Sequence, residues 1–194
     1  YKILCFYKKL EVVLMEKIKD IEFIIQRSLE KDEPVIIAID GPATSGKTTL
    51  SQKLKEKFNI VMIPMDHFFL PMNMKTPERL AEIGGNVDYR RVEEEICIPF
   101  KNREFSHYRA FNCQTKTYEE KQGQQSKVLL LEGVYALHPT LQKYIDYALV
   151  LEITKSEQMT RLKKRNTPQI VEKYIQEWIP LEDRYFEYLN RIGE

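Results

Sequence analysis

Val35-Ile36-Ile37-Ala38-Ile39-Asp40-Gly41-Pro42-Ala43-Thr44-Ser45-Gly46-Lys47-Thr48-Thr49 runs from unbroken apolar residues into a loop bounded by glycines. Side chains alternate between the two faces of a strand, so a run apolar at every position predicts a strand buried on both sides. Such strands belong to parallel sheets. Asp40-Gly41-Pro42 ends the run. Residues 41–48 then match G-x-x-x-x-G-K-[ST]. The chemistry needs these residue types. Glycines let the backbone curl until successive N–H groups face one anion, and the helix that follows adds the positive end of its dipole. Lys47 brings a mobile cation to phosphate, and the Thr48 hydroxyl is placed to ligate Mg²⁺. A glycine turn before an ordinary helix is the bland alternative. The strand before the loop, and Leu50 and Leu54 on one face of a helix over 46–58, favour a phosphate-binding loop.

Working outward, residues 60–63, 128–131 and 148–153 are apolar runs of the same kind, with helical patterns over 46–58 and 139–144 between them. Strands alternating with helices predict right-handed βαβ units and a three-layer α/β/α sandwich. Upstream, Leu14, Ile18, Ile21, Ile24, Ile25 and Leu29 recur at helical spacing and predict an amphipathic helix over 14–30. Residues 1–13 read equally as strand or helix. The expected division is an extension over 1–33 and one domain over 34–194, with a substrate-side excursion over 72–126 and a lid over 155–170. Thr76-Pro77 and Thr167-Pro168 each set a capping side chain before a proline at the first helical position, and Thr154-Lys155-Ser156-Glu157 fits a capping box. Pro180 should break or restart the last helix. The polar stretch 101–127 reads as a long excursion from the sheet, because it also holds Phe105, Tyr108 and Phe111.

The 194 residues carry 30 Lys plus Arg against 29 Asp plus Glu, a net charge of +1. A protein built to coat nucleic acid would show a basic field, so that class is disfavoured. Apolar runs of about five residues fall far short of the roughly 20 that span a membrane. Residues 3–7 are followed at once by Lys8-Lys9, which does not read as a secretory signal. Cys5, Cys97 and Cys113 are an odd count without CxxC, and read as reduced thiols of a cytoplasmic protein. A homo-oligomer is compatible with this composition. The first residue is Tyr1, as in a processed or trimmed chain.

Two further runs end on an acid: Met62-Ile63-Pro64-Met65-Asp66 and Leu129-Leu130-Leu131-Glu132. The carboxyl ends of strands in an open α/β sheet face the ligand crevice. Asp66 and Glu132 are therefore candidates for a general base and a metal ligand, in either order. Arg161, Lys164 and Arg165 fall within about one helical turn, as charges that close over a phosphoryl group would. His67, His107 and His138 show no metal spacing, and His67, which follows Asp66, is a candidate to line the site. Phe68, Phe69, Tyr89, Tyr108 and Phe111 offer rings for stacking on a base, and core packing is as good a reading for any one of them.

With these residues in place, the sequence resembles the uridine kinase and phosphoribulokinase branch of the P-loop kinases, over residues 34–190. The matching segments, in order, are 39–49 at the phosphate loop, Met65-Asp66-His67-Phe68-Phe69 at a strand end, Gly84-Gly85-Asn86-Val87-Asp88-Tyr89, Leu131-Glu132-Gly133-Val134-Tyr135, and Arg161-Leu162-Lys163-Lys164-Arg165. The resemblance implies a nucleoside kinase-like P-loop fold that uses ATP and Mg²⁺. It implies that Gly41, Pro42, Ala43, Thr44, Ser45, Gly46, Lys47, Thr48 and Thr49 bind nucleotide, and that Thr48 and Glu132 hold the metal. Asp66 would be the base, with Lys47, Arg161 and Arg165 stabilising charge. Asp66, Phe69, Asp88, Tyr108 and Phe111 would form the acceptor site. Where uridine kinases show Tyr-Asp, this chain has Phe111-Asn112, so the base reading should differ and Phe111→Tyr should alter it. The family sheet has a fifth strand after the last helix. Here the sheet has four strands, or residues 1–13 supply one.

The expected function is transfer of the ATP γ-phosphoryl group to a hydroxyl of a small molecule, foremost the 5′-hydroxyl of a nucleoside. A kinase of another small alcohol, such as pantothenate or a sugar phosphate, and a nucleotide-dependent switch without an acceptor are the competing readings.

Overall fold

A computed structural model describes residues 13–14 and 18–193. Five strands form one parallel sheet: β1 (Val13–Leu14), β2 (Val35–Asp40), β3 (Val61–Pro64), β6 (Val128–Glu132) and β7 (Tyr147–Val150), in the spatial order β1-β7-β2-β6-β3. Between β3 and β6 the chain leaves the sheet. Strands β4 (His107–Asn112) and β5 (Thr117–Gln122) pair there as an antiparallel hairpin.

Both faces of the sheet are buried, and alternation along each strand sends neighbours into separate cores. Val35, Ile37, Ile39, Val128, Leu130 and Leu149 pack with Ile21 and Ile25 of α1 (Ile18–Glu30) and Leu54 of α2 (Lys47–Lys57). Ile36, Ala38, Val61, Ile63, Leu129 and Leu131 pack on the other face with Val92 and Ile96, Phe105 just before the hairpin, the hairpin's Tyr108, and Tyr185 and Leu189 near the C-terminus. Helices on both faces of the sheet make the expected three layers.

Prolines shape two of the helical runs. After the short α3 (Pro77–Ala81), α4 (Tyr89–Val92) and α5 (Ile98–Lys101) are joined by a π-helical turn over Glu93–Cys97. After α6 (Lys155–Arg165), α7 (Pro168–Lys173) and α8 (Ile179–Gly193) are joined by another over Tyr174–Trp178. Each widened turn lies just before a proline, Pro99 or Pro180, whose ring and missing N–H disturb the i→i−4 ladder. Pro180 thus restarts the last helix, as its position implies.

The structure differs from the sequence reading at several points. The first helix begins at Ile18, and Leu14 lies in β1 beside Ala148 instead. Val13–Leu14 supplies the fifth strand. The remainder of 1–13, with Cys5, lies outside the described residues. The helical pattern over 139–144 is only a 3₁₀ turn at Gln142–Tyr144. The strand expected over 148–153 ends at Val150. Thr76 and Thr154 cap their helices, accepting from Arg79 N and Glu157 N at 3.2 Å, whereas Thr167 makes no side-chain cap. The polar stretch 101–127 carries ordered β-structure. Among the described residues no helix is long and apolar enough to cross a membrane.

Candidate active site

The sheet register brings the acids together. Glu132 at the end of β6 pairs with Ile39 on one side and Pro64 on the other, so Asp40, Glu132 and Asp66 meet along one edge of the sheet. Gly133 fixes their spacing. Its φ is +141°, and a Cβ there would lie 2.6 Å from Met65 Cβ, so only glycine lets β6 leave the sheet this close to the Asp66 turn.

The phosphate loop curls directly beyond β2. Gly41 has φ +142°, and a Cβ on it would sit 2.2 Å from Leu151 O, too close for any side chain. Ser45 N donates to Pro42 O at 3.2 Å, and α2 starts at Lys47 behind Gly46. Thr44 Oγ1 and Ser45 Oγ are buried without a hydrogen-bond partner. An oxyanion in the loop would satisfy such groups, which are costly when unpaired.

Lys47 is 6% exposed and donates from Nζ to Gly41 O at 2.7 Å and Pro42 O at 2.9 Å. Burial pushes its ammonium below the usual lysine range, opposed by the carboxylates of Asp40, Glu132, Glu182 and Asp66 around it. The Thr48 hydroxyl donates to Glu132 Oε1 at 3.1 Å. Burial raises the Glu132 carboxyl above its ordinary range, against the pull of Lys47 and Thr48. A hydroxyl and a carboxylate this close suit Mg²⁺, which takes one or two protein oxygens and completes its shell with water and phosphate. Among the described residues there is no group of three or more His, Cys, Asp or Glu that could hold a metal ion.

Asp66 lies in a 3₁₀ turn, Met65–Phe68, directly after β3. Its side chain reaches solvent at the cleft, yet enough protein surrounds it that desolvation raises its carboxyl, with Lys47 and His67 opposing. His67 Nδ1 and Tyr108 OH are hydrogen-bonded at 2.8 Å, and the Tyr108 ring lies against Phe68 and Phe105. Phe69 is half-buried beside this group. Asp88 is nearly buried, caps α4 by accepting from Arg91 N at 3.3 Å, and donates its own N–H to Phe68 O at 2.7 Å. One of its carboxylate oxygens is thus committed to the helix.

Phe111 lies on the other face of the hairpin from Tyr108. Strand alternation puts it with Arg109, and its ring lies tilted against Tyr118 with centroids 5.2 Å apart. The face that Tyr108 turns toward His67 also carries Asn112 and, across the hairpin, Glu119 and Lys121, both electrostatically coupled to His67. Asn112 is occupied, donating to Glu119 Oε1 at 2.8 Å and accepting from Gln114 N and Thr115 N. Glu119 and Lys121 were not singled out from sequence. Period-2 alternation from Tyr108 and the pairing across the hairpin would have found them.

Arg161 of α6 donates to Thr44 O at 2.9 Å and pairs with Glu157, so it already rests on the phosphate loop. Arg165 is exposed one turn further on. Sequence reasoning assigned no role to Asp40 or Glu182. Asp40 is fully buried and accepts from Gly41 N at 2.6 Å, Leu137 N at 2.9 Å and Tyr185 OH at 2.6 Å, tying β2, the turn after β6 and α8 together. Glu182 of α8 accepts from Ala43 N at 3.0 Å.

No protein-family model matches the chain. It is 26% identical over 123 residues to uridine-cytidine kinase C of Dictyostelium discoideum, a match covering 62% of this chain and 27% of that longer protein. It is 21% identical to the uridine kinase of Bacillus pumilus (strain SAFR-032), over 84% of this chain and 86% of the relative. It is 26% identical to the uridine kinase of Chlamydia pneumoniae, over 82% and 79%. Among solved structures, a possible uridine kinase from Bacillus stearothermophilus superposes with a TM-score of 0.65 at 19% identity, covering 90% of this chain and 94% of that one. A protein described provisionally as a fructose transport system kinase from Silicibacter sp. TM1040 gives 0.67 at 19%, covering 90% and 95%. In sequence and architecture the chain is uridine kinase-like, with the fold of the P-loop kinases.

Proposed function

We propose that the chain is an ATP-dependent kinase that transfers the γ-phosphoryl group to a hydroxyl of a small molecule, foremost the 5′-hydroxyl of a nucleoside. The observation that carries this reading is the line of acids at the strand ends, with Glu132 bonded to Thr48 beside the phosphate loop and Asp66 open to the cleft. In this reading the amides of residues 41–49 and Lys47 bind the nucleotide's phosphates, and Thr48 and Glu132 hold Mg²⁺. When bound, the ion supplies positive charge to the β- and γ-phosphates. Glu132 is engaged with Thr48 and nearly buried, whereas Asp66 is the acid an incoming hydroxyl reaches, so Asp66 accepts the proton. Asp88 holds a sugar hydroxyl with the oxygen its helix leaves over. Phe69 and Tyr108 wall the acceptor. Arg161 and Arg165 neutralise charge as α6 closes and water is excluded.

A second reading, an acceptor that itself carries an anion, such as a sugar phosphate or pantothenate, would draw on Lys121 of the hairpin face near His67, whose ammonium pairs with Glu119 at 2.9 Å. Measuring ADP release from ATP, with and without a nucleoside pool and then an anionic-alcohol pool, tests both. A rise with nucleosides supports the first reading, and a rise only with anionic alcohols supports the second. The same slow release under every condition overturns both and leaves a nucleotide-dependent switch.

A further inference from the structure

Beside the phosphate loop lies a buried polar joint that the phosphoryl-transfer chemistry leaves unused. Glu182 on α8 is 6% exposed, and its Oε2 accepts the Ala43 N–H at 3.0 Å. Gln158 on α6 is 2% exposed and donates from Nε2 to Ala43 O at 3.3 Å, with the same Glu182 oxygen at 3.5 Å. Both polar groups of the Ala43 peptide position are thus held by side chains from two helices far away in sequence. Gln158 lies within one turn of Arg161, whose guanidinium donates to Thr44 O, the next carbonyl of the loop.

The charge at this joint is expensive. Burial and Asp183 of α8 disfavour the ionised Glu182 carboxyl, whereas the Ala43 N–H, Lys47 of α2 and Lys155 of α6 favour it. The Ala43 N–H and C=O need polar partners, and a neutral amide pair would supply them without burying a carboxyl. Its attachment to Ala43, a loop position bonded to both α6 and α8, suggests what the group is for.

We propose that Glu182 is a positioning residue of the phosphate loop, and that with Gln158 it makes the loop and the arginine-bearing helix α6 move as one body. Glu182 touches no reacting group. It acts by holding Ala43, so that the amides of residues 44–48 keep the curl that receives phosphate, and by carrying α6 with them. This rests on the kinase reading only in assigning phosphate to that curl.

The test has two arms. In the ligand-free chain, amide hydrogen exchange should be slow across residues 41–46 and 155–165. Glu182→Ala should accelerate both segments together, and Glu182→Gln, which keeps an acceptor oxygen, should restore most of the protection. In the second arm, MgATP affinity should fall about tenfold in Glu182→Ala and stay within about threefold of the parent in Glu182→Gln, since one hydrogen bond to a buried peptide group is at stake. If Glu182→Ala does not fold, Gln158→Ala serves in its place and should uncouple residues 155–165 while weakening MgATP a few-fold. Faster exchange confined to the residues around 182, or a Gln variant as weak as the Ala variant, overturns the inference. A parent that does not bind MgATP removes the kinase reading instead, and the exchange arm still returns its answer.

Discussion

Lys47 and Asp66 face the same cleft with opposite solvent histories. Lys47 is sealed against the loop carbonyls, where burial lowers its ammonium and the surrounding carboxylates oppose that shift. Replacing it with alanine removes a point charge from phosphate while the sheet beneath is untouched. Lys47→Ala should lower ATP turnover by at least about 10²-fold, the scale of losing one preorganised charge. Thermal melting should then show no stabilisation by MgATP, and a mutant stabilised as strongly as the parent would remove the assignment of this loop. Asp66 is open enough to meet a hydroxyl, and Asn keeps its shape without its basicity. Asp66→Asn should lower kcat by about 10²–10⁴-fold and leave ATP binding nearly intact. The sign of the pH effect follows from its environment: desolvation raises the Asp66 carboxyl, so the parent's kcat should rise with pH through a value above the ordinary aspartate range. That limb should vanish in Asp66→Asn. Collapse of nucleotide affinity with kcat preserved would make Asp66 the metal ligand and Glu132 the base.

The hairpin β4–β5 shows how an element distributes roles that a linear motif cannot. Its alternation turns Tyr108 toward His67 and Phe111 toward Tyr118. Tyr108→Phe deletes the hydroxyl bonded to His67, so the acceptor KM should rise about fivefold, the effect of one modest hydrogen bond, with the ATP KM unchanged. Phe111→Tyr should change acceptor preference by less than about twofold. Steady-state kinetics with uridine and cytidine read both, and a large shift from Phe111→Tyr would show that its face also meets the acceptor. Helix α8 offers a stability counterpart. Burial raises the Glu182 carboxyl from an ordinary 4.5 to about 7. A raised carboxyl favours the neutral form in the folded state, so its stabilisation is full below pH 4.5 and is lost as pH rises through about 7. At about 1.4 kcal/mol per pH unit, the loss is at most about 3 kcal/mol. Glu182→Gln does not ionise, so its melting temperature relative to the parent should climb between pH 5 and pH 8. A difference that stays flat across that range would mean the carboxyl is not held in its raised state.

Across the whole molecule, nucleotide binding and stability are one equilibrium. The loop, α6, α8 and the ends of β2, β6 and β3 all converge on the same cleft, so a ligand there bears on most of the fold. MgATP at 100 times its Kd should add about 2.7 kcal/mol of stability. For a chain of this length that is a rise of roughly 5–10 °C in Tm, measurable by calorimetry. No shift in the parent at saturating MgATP would separate the cleft from nucleotide altogether.

Local patterns carried much of this protein. The apolar run before Gly41 announced a strand buried on both faces, the G-x-x-x-x-G-K-T spacing announced the phosphate loop, and two strands ending on acids placed Glu132 and Asp66 at one edge of the sheet. These signals are contiguous in the chain, where backbone geometry and side-chain period leave little choice. Other features depended on residues distant in sequence. Val13–Leu14 is a strand only because β7 offers an edge to pair with, which no pattern in 1–13 can reveal. Tyr108 and Phe111 take opposite faces because three positions separate them along one strand, but that this polar stretch forms a strand at all depends on its pairing with β5. Glu182 and Ala43 are 139 positions apart, and their hydrogen bond exists only once α8 has packed over the loop. A buried carboxylate on a surface-like helix has no local signature, because its partner is a backbone N–H that every residue except proline possesses.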